Sequence, residues 1–160
     1  MTRPQVTLIV VPRERFSYAA RSLENIYENT EFPFNLIYVD GGSPPQVSRY
    51  LEETSRRRGF KLIRTEHYLS PNKARNLGLR HVETEYVVFI DNDVVVKPGW
   101  LAALVRCAEE TGAWIVGPLY FIGELKRQVI HMAGGTISIR EEQGKRFLYE
   151  DHRFAGKRLS

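Results

Sequence analysis

Tyr86-Val87-Val88-Phe89-Ile90-Asp91-Asn92-Asp93 is the stretch around which the chain is organised. Five apolar residues run without interruption, the pattern of a strand buried on both faces, and two carboxylates follow directly. In an open α/β sheet, ligands gather outside the carboxyl ends of the strands. If the segment stays extended, residues i and i+2 point to one side, so Asp91 and Asp93 could converge on one cation. Such hard oxygen donors suit Mg²⁺ or Mn²⁺, with phosphate oxygens completing the shell. The plain alternative is a polar turn that merely closes the strand, since Asp and Asn are favoured turn residues.

Upstream, the same pattern repeats. Val6 to Val11 is an apolar, β-branched run stopped by Pro12 and reads as a first strand. Phe16, Ala20, Leu23 and Tyr27 recur at helical spacing, with Ser17 as the expected N-cap. Phe34 to Val39 is a second strand, ending in Asp40-Gly41-Gly42-Ser43. Pro44 and Pro45 open a helix that Gly59 closes, and Phe60 to Ile63 is a third strand. The next helix runs from about Asn72 to Val82 and carries Lys73 and Arg75 near its start, cations suited to an anion. Beyond Tyr86 to Ile90, a helix beginning at Pro98-Gly99 buries Leu101, Leu104, Val105 and Ala108 and ends at Gly112. Trp114 to Val116 is expected as a fifth strand.

Four strand-to-helix alternations imply right-handed crossovers and an α/β, Rossmann-like, mostly parallel sheet flanked by helices. After Gly117 the pattern loosens into a less regular C-terminal part. Leu119–Ile122, Val129–Met132 and Thr136–Ile139 are short strand candidates, and the tail from Glu141 is charged with few apolar anchors. With 160 residues and no long linker, repeat or low-complexity segment, one domain spanning 1–160 is expected.

Composition sets limits on function. A hydrophobic content of 42% and a charged content of 26% are those of a globular protein. The net charge of +4 is scattered, and the one basic run, Arg56-Arg57-Arg58, falls at a predicted helix end, where cations complement the dipole. A nucleic-acid patch is therefore not expected, while a polyanionic small ligand is favoured. Cys107 is the only cysteine, which excludes an internal disulfide and a cysteine-based zinc framework. No apolar run reaches the roughly 18 residues of a membrane span and no leader pattern is visible, so a cytoplasmic location is expected.

On a parallel sheet, Pro12-Arg13-Glu14, Asp40-Gly41-Gly42-Ser43 and Asp91-Asn92-Asp93 meet at one edge. An aspartate after the second strand can accept hydrogen bonds from a ribose hydroxyl or a base N–H, and paired glycines let the backbone approach a flat ring. A tight turn explains Asp40-Gly41-Gly42 equally well. There is no Gly-x-x-x-x-Gly-Lys loop, no Gly-x-Gly-x-x-Gly after a strand and no Gly-x-Ser-x-Gly turn. The glycine-rich loop usual in nucleotidyltransferases is also missing, Val11-Pro12-Arg13-Glu14-Arg15 standing in its place.

Taken together, the chain resembles the N-terminal, donor-binding part of a family-2 glycosyltransferase with the glycosyltransferase A fold. The segments that carry the resemblance are Val6–Pro12, Ile37–Ser43, Pro71–Leu79 and Tyr86–Asp93, in the family's order over roughly residues 5–120. The resemblance implies a UDP- or GDP-type nucleotide-sugar donor and a hydroxyl acceptor, with inversion at the anomeric carbon. Pro12, Arg13 and Glu14 would line the base pocket, and Asp40 with Gly42 would contact base or ribose. Arg75 would lie beside base or diphosphate. Asp91, Asn92 and Asp93 would form the Asp-x-Asp element, with Asp93 the direct ligand of Mn²⁺ or Mg²⁺ and Asp91 toward ribose or metal.

The family's catalytic base is an acidic residue, commonly one of a pair far downstream. Here only Glu150-Asp151 offers such a pair, in the charged tail and without the surrounding pattern, so both are weak candidates and the acceptor half is expected to be missing. His131, before Met132-Ala133-Gly134-Gly135, is a weak candidate for metal or acceptor, and Trp100 for sugar stacking. A nucleotide-sugar-binding module without turnover is the alternative reading, and a nucleotidyltransferase a more distant one.

Overall fold

The computed structural model describes residues 5–13, 15–123 and 127–157, with only the backbone at 137, 150 and 152. Its contacts divide the chain into two compact units, Met1–Val105 and Arg106–Ser160.

The first unit is built on a four-stranded parallel sheet in the order β3-β2-β1-β4, comprising β1 (Val6–Val11), β2 (Phe34–Gly41), β3 (Lys61–Thr65) and β4 (Tyr86–Asp91). The helices between them are α1 (Ala19–Glu28), α2 (Pro45–Arg58) and α3 (Pro71–Leu79), and α4 (Trp100–Thr111) follows β4. This is the expected α/β architecture.

The central strand is β1, not β4. All six β1 residues are buried, and their alternation splits them between two cores. Leu8 and Val10 join Leu23 and Ile26 of α1, Leu51 of α2 and Leu101 and Val105 of α4. Ile9 and Val11 join Val39 of β2 and Ala74 of α3 on the opposite face. Each such aliphatic side chain, fully buried, contributes about 1.5–3 kcal/mol. The expectation that Tyr86–Ile90 is buried on both faces is corrected: β4 is half-buried, with Phe89 exposed, and among the described residues it pairs only with β1. An uninterrupted apolar run does not by itself distinguish a central strand from a sheet-end strand.

The caps follow local chemistry. Gly59 ends α2 at φ 75°, a left-handed conformation that glycine adopts without steric cost. Ser17 does not cap α1. It lies in a short 3₁₀ turn, Phe16–Tyr18, that leads straight into the helix, whose N-cap is Tyr18.

The second unit holds two antiparallel pairs: β5 (Tyr120–Ile122) with β6 (Val129–Met132), and β7 (Gly135–Glu142) with β8 (Lys145–His152). Trp114–Val116 is not a strand. Trp114 and Ile115 are almost fully exposed, and β-propensity yields a strand only where a ladder and a packing face exist. The tail, in turn, is more regular than its composition suggested. Gln143 and Gly144, both at positive φ, make a two-residue turn that closes the β7–β8 hairpin. Residues 153–157 then return along β6, where Gly156 donates to Ile130 and Ile130 to Lys157, each at 2.8 Å.

Candidate functional site

Parallel pairing of β1 with both β2 and β4 brings three strand-end loops of the first unit to one edge; Val11 lies opposite Asp91, and Val10 opposite Tyr38. The loop before α3 packs against the end of β2, beside Gly41 and Gly42.

Asp40 is buried at the end of β2. Its Oδ1 accepts the Ser43 backbone N–H at 3.0 Å, its Oδ2 accepts the Ser43 hydroxyl at 2.9 Å, and Arg64 of β3 lies 3.8 Å from Oδ2. Both readings of Asp40-Gly41-Gly42 therefore have a physical basis: the carboxylate builds the turn, and each oxygen retains a further lone pair. The glycines are packing requirements. A Cβ on Gly41 would lie 2.9 Å from the Leu69 nitrogen and 3.0 Å from Pro12 Cγ. Gly42 has φ 73°, and a Cβ there would meet the His67–Tyr68 backbone at 3.1 Å. The space beside both is filled by the 66–69 loop rather than held open for a flat ring.

Asn92 is the buried pivot between β1 and β4. Its N–H donates to the Val11 carbonyl at 3.0 Å and its Oδ1 accepts the Arg13 N–H at 2.9 Å. The Tyr38 hydroxyl bonds to its side chain; burial first, and then the Asp40 charge, push that phenol well above its ordinary range.

Asp91 and Asp93 sit on a backbone that differs from the sequence expectation. The strand ends at Asp91, and Val94 N–H donates back to the Asp91 carbonyl at 3.2 Å, so Asp91-Asn92-Asp93-Val94 is a turn rather than a continued strand. α1 fixes its exit, since Ser22 donates to the Val94 carbonyl and Asn25 accepts the Val96 N–H, both at 2.6 Å.

Around Asp91 stand two guanidinium groups. Arg75, in the second turn of α3, places Nη2 3.2 Å from Oδ1, donates from Nη1 to Asn72 at 3.0 Å and stacks over Phe89 at 5.8 Å. Its Nε is buried without a partner among the described residues. Arg13 lies with Nε 3.5 Å from Oδ2, its side chain half exposed. Asp93 is half-buried and forms no ion pair among the described residues.

The donor set fits a divalent cation that a diphosphate completes. It offers one uncommitted carboxylate and a second shared with arginines, and no group of three potential ligands exists among the described residues. Mg²⁺ and Mn²⁺ are commonly held by one or two carboxylates with phosphate and water.

Glu14 falls outside the described residues. His131 is exposed on β6. Asp151 is exposed on β8, 3.9 Å from Arg140, and Glu150 precedes it with its side chain undescribed. Trp100 packs on the first core and donates from Nε1 to Thr30 at 2.9 Å, so it is a packed anchor of α4. Lys73 is exposed. Arg64 and Tyr38 are not among the residues the sequence singled out; both lie in strands near this edge, and only the fold reveals their partners.

Comparison with known proteins bears on this geometry. The model of "Glycosyl transferase family 2" matches residues 7–158. Hyaluronan synthase of Pasteurella multocida is 25% identical over 99 residues, 61% of this chain and 10% of that protein. The crystal structure of S. aureus TarS 1-349 in complex with UDP-GlcNAc superposes with a TM-score of 0.58 at 25% identity, covering 68% of this chain and 32% of that one. The mannosyltransferase PcManGT from Pyrobaculum calidifontis, in complex with GDP-Man and Mn²⁺, gives 0.56 at 30% identity, covering 67% and 33%. The chain thus spans between a tenth and a third of the length of these relatives.

Proposed function

The chain belongs to glycosyl transferase family 2, and on that basis we propose that it binds a UDP- or GDP-type nucleotide-diphosphate sugar at the ends of β1, β2 and β4 and transfers the sugar to a hydroxyl acceptor. The observation that carries this reading is the convergence of Asp40, Arg75, Arg13 and the Asp91–Asp93 turn on one sheet edge. The UDP-GlcNAc and GDP-Man held by two structural neighbours support the ligand class.

In this reading, Pro12, Arg13 and Asp40 frame the nucleoside, Gly42 and Asn92 hold the loops that present them, and Arg75 meets the base or diphosphate with a planar fork of donors. Asp93, with Asp91 beside it, would hold Mn²⁺ or Mg²⁺. A bound divalent ion would neutralise the charge that builds on the departing diphosphate. The acceptor oxygen bonds to the anomeric carbon as the bond to the phosphate oxygen breaks, which inverts that centre through an oxocarbenium-like transition state. The acceptor's proton goes to a carboxylate on the face opposite the leaving group. Asp91 and Asp93 are on the leaving-group side and cannot serve. Glu150 and Asp151 stay the weak candidates within this chain.

A binding module without turnover is the second reading, favoured by the exposure of Asp151 and its pairing with Arg140. The test is incubation with labelled UDP-GlcNAc or GDP-mannose and Mn²⁺, with release of free nucleotide diphosphate as the readout. Release that disappears in Asp93→Ala supports the transferase. Tight binding without release supports the module. Absence of both would rule out each.

A further inference from the structure

Asp91 is the residue whose surroundings are least explained by donor binding alone. Its two carboxylate oxygens each face a guanidinium, Arg75 Nη2 at 3.2 Å on Oδ1 and Arg13 Nε at 3.5 Å on Oδ2. A carboxylate so engaged is a poor ligand for a divalent ion, because two positive charges stand where the ion's field would act. Asp93 alone then offers the cation a single protein carboxylate.

The two arginines are not held alike. Arg75 comes from a helix, is bonded to Asn72, stacks on Phe89 and is only about one-third exposed. Arg13 follows a strand end. Its backbone N–H is fixed by Asn92 at 2.9 Å, but its side chain is 50% exposed and has Asp91 as its ion-pair partner among the described residues. A fixed backbone and a free side chain let Arg13 move its charge without moving the loop. An arriving diphosphate, which presents a denser negative charge than one carboxylate, would draw that guanidinium away from Asp91.

We propose that Arg13 is a positioning residue that keeps Asp91 neutralised until a nucleoside diphosphate binds, so that cation binding is conditional on the nucleotide. This goes beyond lining a base pocket and rests on the donor reading above. Two consequences are tied together by thermodynamic reciprocity. The nucleotide raises the affinity for the cation, and the cation raises the affinity for the nucleotide by the same factor. Removing the Arg13 charge weakens that coupling: the cation is less repelled without nucleotide, so the nucleotide has less repulsion to relieve, and by the same reciprocity nucleotide binding loses more with metal present than without it.

The test is Mn²⁺ binding, followed by electron paramagnetic resonance of the free ion, with and without saturating UDP or GDP. The proteins are the wild-type chain, Arg13→Gln, Arg13→Lys and Asp93→Ala. The inference predicts that nucleotide tightens Mn²⁺ at least about tenfold in the wild type. Arg13→Gln should tighten nucleotide-free Mn²⁺ by roughly threefold to tenfold. The coupling factor should shrink by the same amount, so that Arg13→Gln weakens nucleotide binding more with Mn²⁺ present than without it. Arg13→Lys keeps the charge and should restore most of the coupling, which a merely structural role would not do. Nucleotide-free Mn²⁺ affinity unchanged by Arg13→Gln, with nucleotide binding intact, would overturn the inference and leave the donor reading standing. If neither UDP nor GDP binds the wild type with Mn²⁺ present, the donor reading falls and the inference with it.

Discussion

At Asp40 a single side chain has two tasks that pull in one direction. Its oxygens hold the Ser43 N–H and hydroxyl, and it is buried beside Arg64. Removing it strands buried donors, which costs about 1–3 kcal/mol. Asp40→Ala should therefore lower stability in urea denaturation by that amount and also weaken nucleotide binding. Asp40→Asn, which retains an acceptor for the Ser43 N–H, should recover most of the stability. A variant as stable as the wild type would show that the turn does not depend on the carboxylate. Gly78 gives a second test at this scale. A Cβ there would lie 2.6 Å from Ile9 Cγ2, where α3 meets β1. Alanine gains up to about 1 kcal/mol of helix propensity, but overpacking costs about 1–3 kcal/mol. Gly78→Ala should be net destabilising, read as a lower urea midpoint.

Between elements, the α1–α2 contact is centred on Glu24. Its carboxylate accepts from the Tyr50 hydroxyl at 2.9 Å, Arg57 at 3.1 Å and Arg58 at 3.0 Å, and Arg58 stacks over Tyr27 at 4.7 Å. Burial raises the Glu24 pKa, but the Tyr50 and Arg58 hydrogen bonds and the arginine charges outweigh it, leaving the group below its ordinary 4.5. A carboxyl depressed on folding stabilises above its unfolded value, and that stabilisation is lost as pH falls through the folded one. Tyr50 runs the other way. Burial, then the bond to Glu24, push it up to about 12, so its contribution holds below pH 10 and fades as pH rises toward 12. Thermal melts across pH should decline below about 4.5 and again above 10. Glu24→Gln should flatten the acid limb, and Tyr50→Phe the alkaline one. Near neutral pH, Glu24→Ala should cost only about 1 kcal/mol, because the arginine pairs are solvent-screened. Unchanged limbs in both variants would place the titrating groups elsewhere.

At the scale of the molecule, the part of the fold legible in the sequence is the part with hydrophobic periodicity. β1, β2, α2, β4 and β6 fall where Val6–Val11, Phe34–Val39, the Pro45-to-Gly59 span, Tyr86–Ile90 and Val129–Met132 predicted. Strand rank was not legible. Both β1 and β4 read as apolar runs, and only pairing made β1 central. Trp114–Val116 has propensity without a partner, whereas β8 has a partner without an apolar face, so hydrophobic pattern points to the first and away from the second. Its one local signal was Gln143-Gly144. For the site, the residues at the sheet edge were legible because strand ends in a parallel sheet share an edge. Their pairings were not. That Arg13 and Arg75 share Asp91 depends on side chains from three separate segments, and that Asp91–Asp93 is a turn depends on a backbone bond.

No described helix is long and apolar enough to cross a membrane. The proposed binding of a nucleotide-diphosphate sugar at this sheet edge depends on a cation held at Asp93. Calorimetric titration of the wild-type chain and Asp93→Ala with UDP- and GDP-sugars, with and without Mn²⁺, tests it most directly. Binding of one donor class should be saturable, should strengthen with Mn²⁺ and should lose that dependence in Asp93→Ala, while the variant melts at the wild-type temperature. No binding of any nucleotide sugar, or binding indifferent to both Mn²⁺ and Asp93, would contradict it.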